Sequence, residues 1–156
     1  VHLMVSDDIL LSQIEEFAGA GADVISIHLE NDRVADAALA RIEELEVATG
    51  MALQIESDVS ALEPYLDRLH FVTILGTRPG IKGVEPDGRA PERLRKVAAM
   101  INRQETDRRV VLAADGGIRR HTVPVLRRSG ADSVVAGSLV FGAPDLAERI
   151  SWLRSL

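Results

Sequence analysis

Short apolar runs and amphipathic stretches alternate from the first residue of the chain to the last. Residues 1–5, VHLMV, form an apolar run with one polar insertion, and residues 23–30, DVISIHLE, are rich in β-branched side chains; both predict strands. Residues 51–57, 70–76, 109–114 and 132–137 add four more strand-like runs. Helices are predicted between them. Residues 7–22 place Ile9, Ile14 and Phe17 near helical spacing before a glycine stop, and residues 32–50 form an Ala/Leu/Glu helix closed by Gly50. Residues 60–69 predict a short helix containing Pro64, and residues 92–104 and 122–130 two more. A last helix spans 143–156, with Asp145 in its first turn. A Gly/Pro-rich loop covers residues 77–91.

Some six strands separated by helices imply parallel strands joined by right-handed crossovers. There is a faint internal echo. GAGADVISIH (19–28) and RRSGADSVVAG (127–137) both read helix end, Gly, Ala-Asp, buried strand. Either every helix-to-strand turn favours that composition, or the chain is built of repeated βα units. A (β/α)8 barrel usually needs about 250 residues. The 156 residues here fit six such units, so the fold class expected is α/β, a single partial TIM-type barrel domain over residues 1–156. The chain starts at Val1 inside a strand-like run, which reads as a fragment or a trimmed sequence.

Composition narrows the partners more than the fold. An apolar fraction of 46% and a charged fraction of 27% are ordinary for a soluble globular protein. A net charge of −6 argues against nucleic acid or an anionic membrane as the main partner. Absence of cysteine removes disulfides and thiolate metal sites and fits a cytoplasmic setting. No apolar stretch approaches the roughly 20 residues of a membrane span, and the first residues lack a basic leader.

Candidate chemistry gathers at the carboxyl ends of the expected strands, where parallel sheets and barrels bind ligands. His2 lies within the first strand, His28 and Glu30 end the second, and Asp115 ends the fifth. Three glycine turns share that side: PGIKG (79–83), DGG (115–117) and AGS (136–138). Such turns let backbone N–H groups approach phosphate oxygens, and GSLVFGAP can open a short helix facing the anion. Each turn also has the plainer reading of an ordinary chain reversal. His2 alone is either a core histidine or a ligand; His70, His121 and the RRH stretch at 119–121 read as surface or capping residues.

VHLMV, FAGAGADVISIHLE, ILGTRPGIKG, ADGGI and GADSVVAGSLVFG, in this order over nearly the whole chain, resemble the successive motifs of the ribulose-phosphate 3-epimerase family. GAD and DGG alone occur in many phosphate-binding barrels. On this resemblance Val1 begins the family's third strand, and the first two βα units are not in the chain. The resemblance implies an isomerase, a metal-dependent 3-epimerase of D-ribulose 5-phosphate or a related ketose phosphate, working in the pentose phosphate pathway. It implies a divalent metal (zinc, iron, manganese or cobalt) held by two histidines and two aspartates, of which His2 and Asp115 match one each. Asp115 would also exchange the proton next to the carbonyl, while the metal stabilises the ene-diolate. Met4 matches a methionine under the sugar. Gly80, Ile81, Lys82, Gly83, Gly116, Gly117, Gly137 and Ser138 match the phosphate-binding stretches. A small sugar phosphate and further copies of the chain are the partners expected.

The chain departs from the family pattern in places. RPGIKGV stands where NPGFGG is common, Leu75 replaces a methionine, and ESDVS (56–60) replaces an Asn-Pro-x-Thr-Pro stretch. Asp7 and Asp8 follow VHLMV without the usual proline. These changes touch substrate identity more than phosphate binding. The alternatives are a phosphosugar-binding barrel without epimerase activity, and a metal-free isomerase or aldolase. Six units alone would leave open sheet edges, so this stretch is expected to aggregate, to belong to something longer, or to close its barrel with another chain.

Overall fold

The computed structural model describes residues 1–81, 83–104 and 108–156. Five strands form one parallel sheet in chain order: β1 (Val24–His28), β2 (Ala48–Leu53), β3 (Phe71–Leu75), β4 (Val111–Asp115) and β5 (Ser133–Val134). The helices are α1 (Asp7–Gly19), α2 (Ala35–Glu44), α3 (Ala90–Asn102), α4 (Val123–Arg128), α5 (Gly137–Phe141) and α6 (Leu146–Arg154). A 3₁₀ helix, Val59–Tyr65, accommodates Pro64. Strand and helix alternate from α1 to α5, α6 follows α5 directly, and the architecture is that of a partial (β/α)8 barrel.

The expected first strand is reduced. His2 makes an isolated parallel bridge to Ser26, held by Ser26 N–H to the Val1 carbonyl and Leu3 N–H to the Ser26 carbonyl, each at 2.8 Å. The segment runs alongside β1 but turns away after one pairing, because α1 begins at Asp7. The last strand is also shorter than expected. Only Ser133 and Val134 pair, and α5 starts three residues later.

The largest correction concerns residues 32–50. The helix ends at Glu44, Glu46 takes a positive φ of 57° in the reversal, and β2 already runs from Ala48. Gly50 is not a helix stop. It sits in the middle of β2 opposite Ser26, and a Cβ there would overlap Ser26 Oγ and lie 2.9 Å from Ser26 Cβ. Glycine is required because a neighbouring strand's side chain fills the space. Asp145 likewise stands one step outside α6, where its carboxylate accepts the Glu148 N–H at 2.9 Å as an N-cap.

Strand alternation divides the sheet into two faces. Ile25, Ile27, Met51, Leu53, Val72, Ile74, Leu112 and Ala114 belong to one buried cluster with Leu10 and Ile14 of α1, Leu39 and Ile42 of α2, and Leu94 and Val97 of α3. Each such fully buried side chain contributes about 1.5–3 kcal/mol. The opposite, inward face carries Ser26, His28, Gly50, Ala52, Thr73, Ala113 and Asp115. Phe71, Leu75 and Val111 share this inward face with the small and polar groups, while the clustered apolar core lies between sheet and helices.

Replacing Gly50 by Ala should overpack this inner face and lower stability by about 1–3 kcal/mol. Denaturant melts should show that loss for Gly50→Ala and a partial recovery when Ser26→Ala is added, because the two sites share one space.

Candidate active site

The ladder sets the height of each inward residue. His2 pairs with Ser26, Ser26 with Gly50, Gly50 with Phe71, and Phe71 with Val111. Asp115 stands four residues beyond Val111 on β4. In an eight-stranded barrel of shear 8, the register climbs about one residue per strand. Four strand steps separate His2 from β4, and Val111 is the β4 residue abreast of its partner Ser26. The strand ends drift in the same direction. β1 stops at His28, whose ladder partners are Ala52, Thr73 and Ala113, and β3 and β4 each run two residues further.

His2 is not free. Its Nε2 lies 2.8 Å from His28 Nε2, and the rings stack with centroids 4.8 Å apart at 17°. His28 is only 5% exposed, and its Nδ1 lies 2.9 Å from a Glu30 carboxylate oxygen. A carboxylate only accepts, so Nδ1 is the donor there; with one ring proton, His28 Nε2 accepts the Nε2–H of His2. His2 Nδ1 is then that ring's free lone pair. Burial, the largest cause, pushes the His2 pKa down to about 4.

Glu30 is itself anchored. Its other oxygen accepts the Gln54 N–H at 3.0 Å and the Ser57 hydroxyl, while the buried Arg93 guanidinium donates to the Gln54 and Ser57 carbonyls at 2.6 and 3.0 Å. Burial alone would raise the Glu30 carboxyl, but the hydrogen bonds from His28, Ser57 and Gln54 prevail and hold it at about 2. Residues 54–57, expected to continue the strand at 51–57, lie beyond the end of β2 at Leu53 and form the loop that supports this relay.

A cavity of about 570 Å³ opens at the carboxyl ends of β3, β4 and β5. Its walls bring together Asp115, Gly116 and Gly117 of one turn, Ile81 and Gly83 of the second, and Gly137 with Ser138 of the third. The three glycine turns separated in sequence therefore converge. Lys82 lies outside the described residues. Gly80 has a φ of 79° in the same loop but does not line the cavity. Met4, 57% exposed, borders a separate cavity of about 300 Å³ together with His28 and Glu30. His2 lines neither.

The DGG glycines have a packing reason as well as a ligand-facing one. Gly116 and Gly117 adopt φ of 87° and 68°, and a Cβ on Gly117 would overlap Pro86 N and lie 2.8 Å from Pro86 Cα. A Cβ on Gly76 would meet the Gly116 carbonyl at 2.8 Å. Gly76 N–H donates to the Asp115 carbonyl at 2.6 Å, and Asp87 N–H to the Gly76 carbonyl at 2.7 Å. The long loop thus clamps the β4 turn from behind. Burial raises the half-buried Asp115 carboxyl above its usual range, and the Gly116 N–H draws it partly back. Among the described residues Asp115 is the carboxylate in this cavity wall.

Sequence reasoning passed over Arg119, which borders the cavity directly after DGGI, and Thr77 on the opposite wall. The RRH residues, expected as surface or capping positions, go different ways. His121 pairs with Glu85 at 3.0 Å and Arg120 with Glu148 at 3.2 Å.

No three His, Asp or Glu side chains among the described residues form a metal-holding group. No helix among the described residues is long and apolar enough to cross a membrane.

Comparison with solved structures defines the class first. Orotidine 5′-phosphate decarboxylase from Pyrococcus horikoshii aligns with a TM-score of 0.66 at 18% identity, covering 97% of this chain and 68% of that one. 3-Hexulose-6-phosphate synthase aligns at 0.68 and 21% identity, covering 97% and 70%. The fold is that of the βα-barrel enzymes, with its polar residues at the strand carboxyl ends. Within that class the chain belongs to the ribulose-phosphate 3 epimerase family, whose profile matches residues 1–141. Ribulose-phosphate 3-epimerase 2 of Cupriavidus necator is 37% identical over 147 residues, 93% of this chain and 60% of that protein. The ribulose-phosphate 3-epimerases of Aquifex aeolicus and Escherichia coli K12 are 34% and 31% identical, each over 99% of this chain. The chain spans 60% of the length of the Cupriavidus relatives it matches.

The anchored Glu30 has a pH signature. Its pKa lies near 2 in the fold against 4.5 ordinarily, so the stability it contributes is complete above about 4.5 and is lost as pH falls toward 2. Glu30→Gln should lower stability at neutral pH and flatten the acid limb between those values. Urea melts at a series of pH values read this directly; an unchanged limb would remove Glu30 from the relay.

Proposed function

We propose that this chain carries the phosphate cradle and one acid/base group of a ketose-phosphate 3-epimerase, acting as a single partial-barrel domain. The observation that carries the reading is the convergence of three glycine turns and a buried-side carboxylate on one cavity. Its family membership supports the same chemistry, and D-ribulose 5-phosphate is the substrate proposed from the names of the relatives.

Epimerisation removes a proton next to a carbonyl and returns one on the opposite face. Asp115 would act on one face. Its carboxyl, raised by burial, is better matched to exchanging a proton near neutrality than an ordinary aspartate. The Pro86 clamp behind Gly117 keeps the turn fixed, so the carboxylate need not be ordered when substrate arrives. Gly83, Gly116, Gly117, Gly137 and Ser138, with Gly80, Ile81 and Lys82 in the neighbouring loop, would hold the phosphate and fix the sugar across the inner face. Met4, beside His28, would pack against the sugar's other end.

The divalent cation implied by the family would supply Lewis-acid stabilisation of the ene-diolate. His2 and Asp115 are the donors proposed from this chain, and the remaining two family donors are proposed to lie outside the described residues. The same holds for the acid/base group of the second face.

Asp115→Asn should leave the fold intact and slow solvent exchange of the substrate's C3 proton by about 10²–10⁴-fold. Proton NMR in deuterated water measures that exchange with D-ribulose 5-phosphate. Full exchange in the variant would remove Asp115 as the acid/base. Binding of the sugar phosphate with no exchange in the unaltered protein would favour the binding-module alternative.

A further inference from the structure

The glycine-turn cavity poses an electrostatic problem. A phosphate monoester carries about −1.5 to −2 charges near neutral pH. Asp115 places a carboxylate in the same wall, and the chain as a whole is at −6. Glycine-turn N–H groups can bond phosphate oxygens, but as dipoles they add no net charge.

One cationic side chain stands among the described lining residues: Arg119. Its neighbours are committed elsewhere. Arg120 pairs with Glu148 and lies 5.2 Å over the Trp152 ring, His121 pairs with Glu85, and Arg149 donates to the Leu139 carbonyl at 2.7 Å. The Arg119 side chain makes one hydrogen bond among the described residues, Nη1 to the Ile118 carbonyl at 3.0 Å. A guanidinium has five N–H donors in a rigid fork, and among the described residues one of them is used by this bond.

The backbone under Arg119 is also fixed. Its N–H donates to Thr122 Oγ1 at 2.8 Å, and the same hydroxyl bonds the Gly117 carbonyl at 3.0 Å. One buried threonine therefore ties the phosphate-facing glycine to the residue that carries the charge. The side chain is half-buried, where a charge-assisted hydrogen bond is stronger than at an open surface.

We propose that Arg119 is a specificity-determining residue that reads the charge of the phosphate, its guanidinium taking phosphate oxygens from the side while the glycine turns hold them from below. The proposal rests on the phosphate reading of this cavity given above. Arg119 would distinguish a phosphorylated ketose from the same sugar without its phosphate, and it would offset the repulsion from Asp115.

Inorganic phosphate is the probe, titrated calorimetrically into the intact chain and into Arg119→Gln and Arg119→Lys. Loss of a charge-assisted bidentate contact should weaken phosphate binding by about 10–100-fold in Arg119→Gln. Arg119→Lys should recover part of it, since a point charge replaces the fork. Thermal midpoints of the variants should match the unaltered chain, because among the described residues the side chain holds a neighbouring carbonyl. In parallel, the preference for D-ribulose 5-phosphate over D-ribulose in binding should shrink by a similar factor. Equal phosphate affinity in Arg119→Gln and the unaltered chain would overturn the proposal while leaving the cradle in place. No phosphate binding by the unaltered chain would overturn both. Arg119-dependent phosphate binding without C3 exchange would support Arg119 and count against the epimerase reading alone.

Discussion

A parallel ladder in which Ser26, Gly50, Phe71 and Val111 stand abreast decides which side chain of every strand faces inward. Once that register is set, the outer face must be apolar to hold the helices, and the inner face is free to carry the small and polar groups alongside Phe71, Leu75 and Val111. Gly50 shows how tight the constraint is, since Ser26 occupies the volume its side chain would need. A slip by one residue would turn His28 and Asp115 into the apolar layer and Ile27 and Ala114 into the cavity. The candidate chemistry is thus a consequence of strand pairing before it is a consequence of any individual residue.

Much of this was legible in the chain. Alternating runs specified the order of strands and helices, and the glycine turns and the acid read at strand ends do gather on one rim of the sheet. What escaped had a common physical origin. Gly50 looks like a helix stop in sequence because its real reason for being glycine, Ser26, lies 24 residues away on a neighbouring strand. The His2–His28 stack depends on one bridge between His2 and Ser26, and no local pattern specifies it. Arg119, Arg120 and His121 are alike as letters and differ only in the partners that tertiary structure brings to them.

The two ends of the inner face are organised by different physics. Toward β1, neutral and charged groups are chained by hydrogen bonds from Arg93 through the 54–57 loop to Glu30, His28 and His2. Toward β4 and β5, the backbone itself is the working surface, and side chains are removed so that loops can close on one another. A ligand spanning both ends would meet oriented side chains at one and exposed N–H groups at the other.

The contact of Pro86 with Gly117, backed by Gly76 against Gly116, has a consequence for how quickly a ligand is captured. Loops that must order on binding slow association, because each encounter has to wait for the competent shape. Here the rear wall of the cavity is already interlocked, with a proline whose φ is fixed by its ring. Encounter at that wall is then governed by diffusion and by the local field. The residence time of the ligand, not its arrival, becomes the quantity that substitutions around the rim would tune.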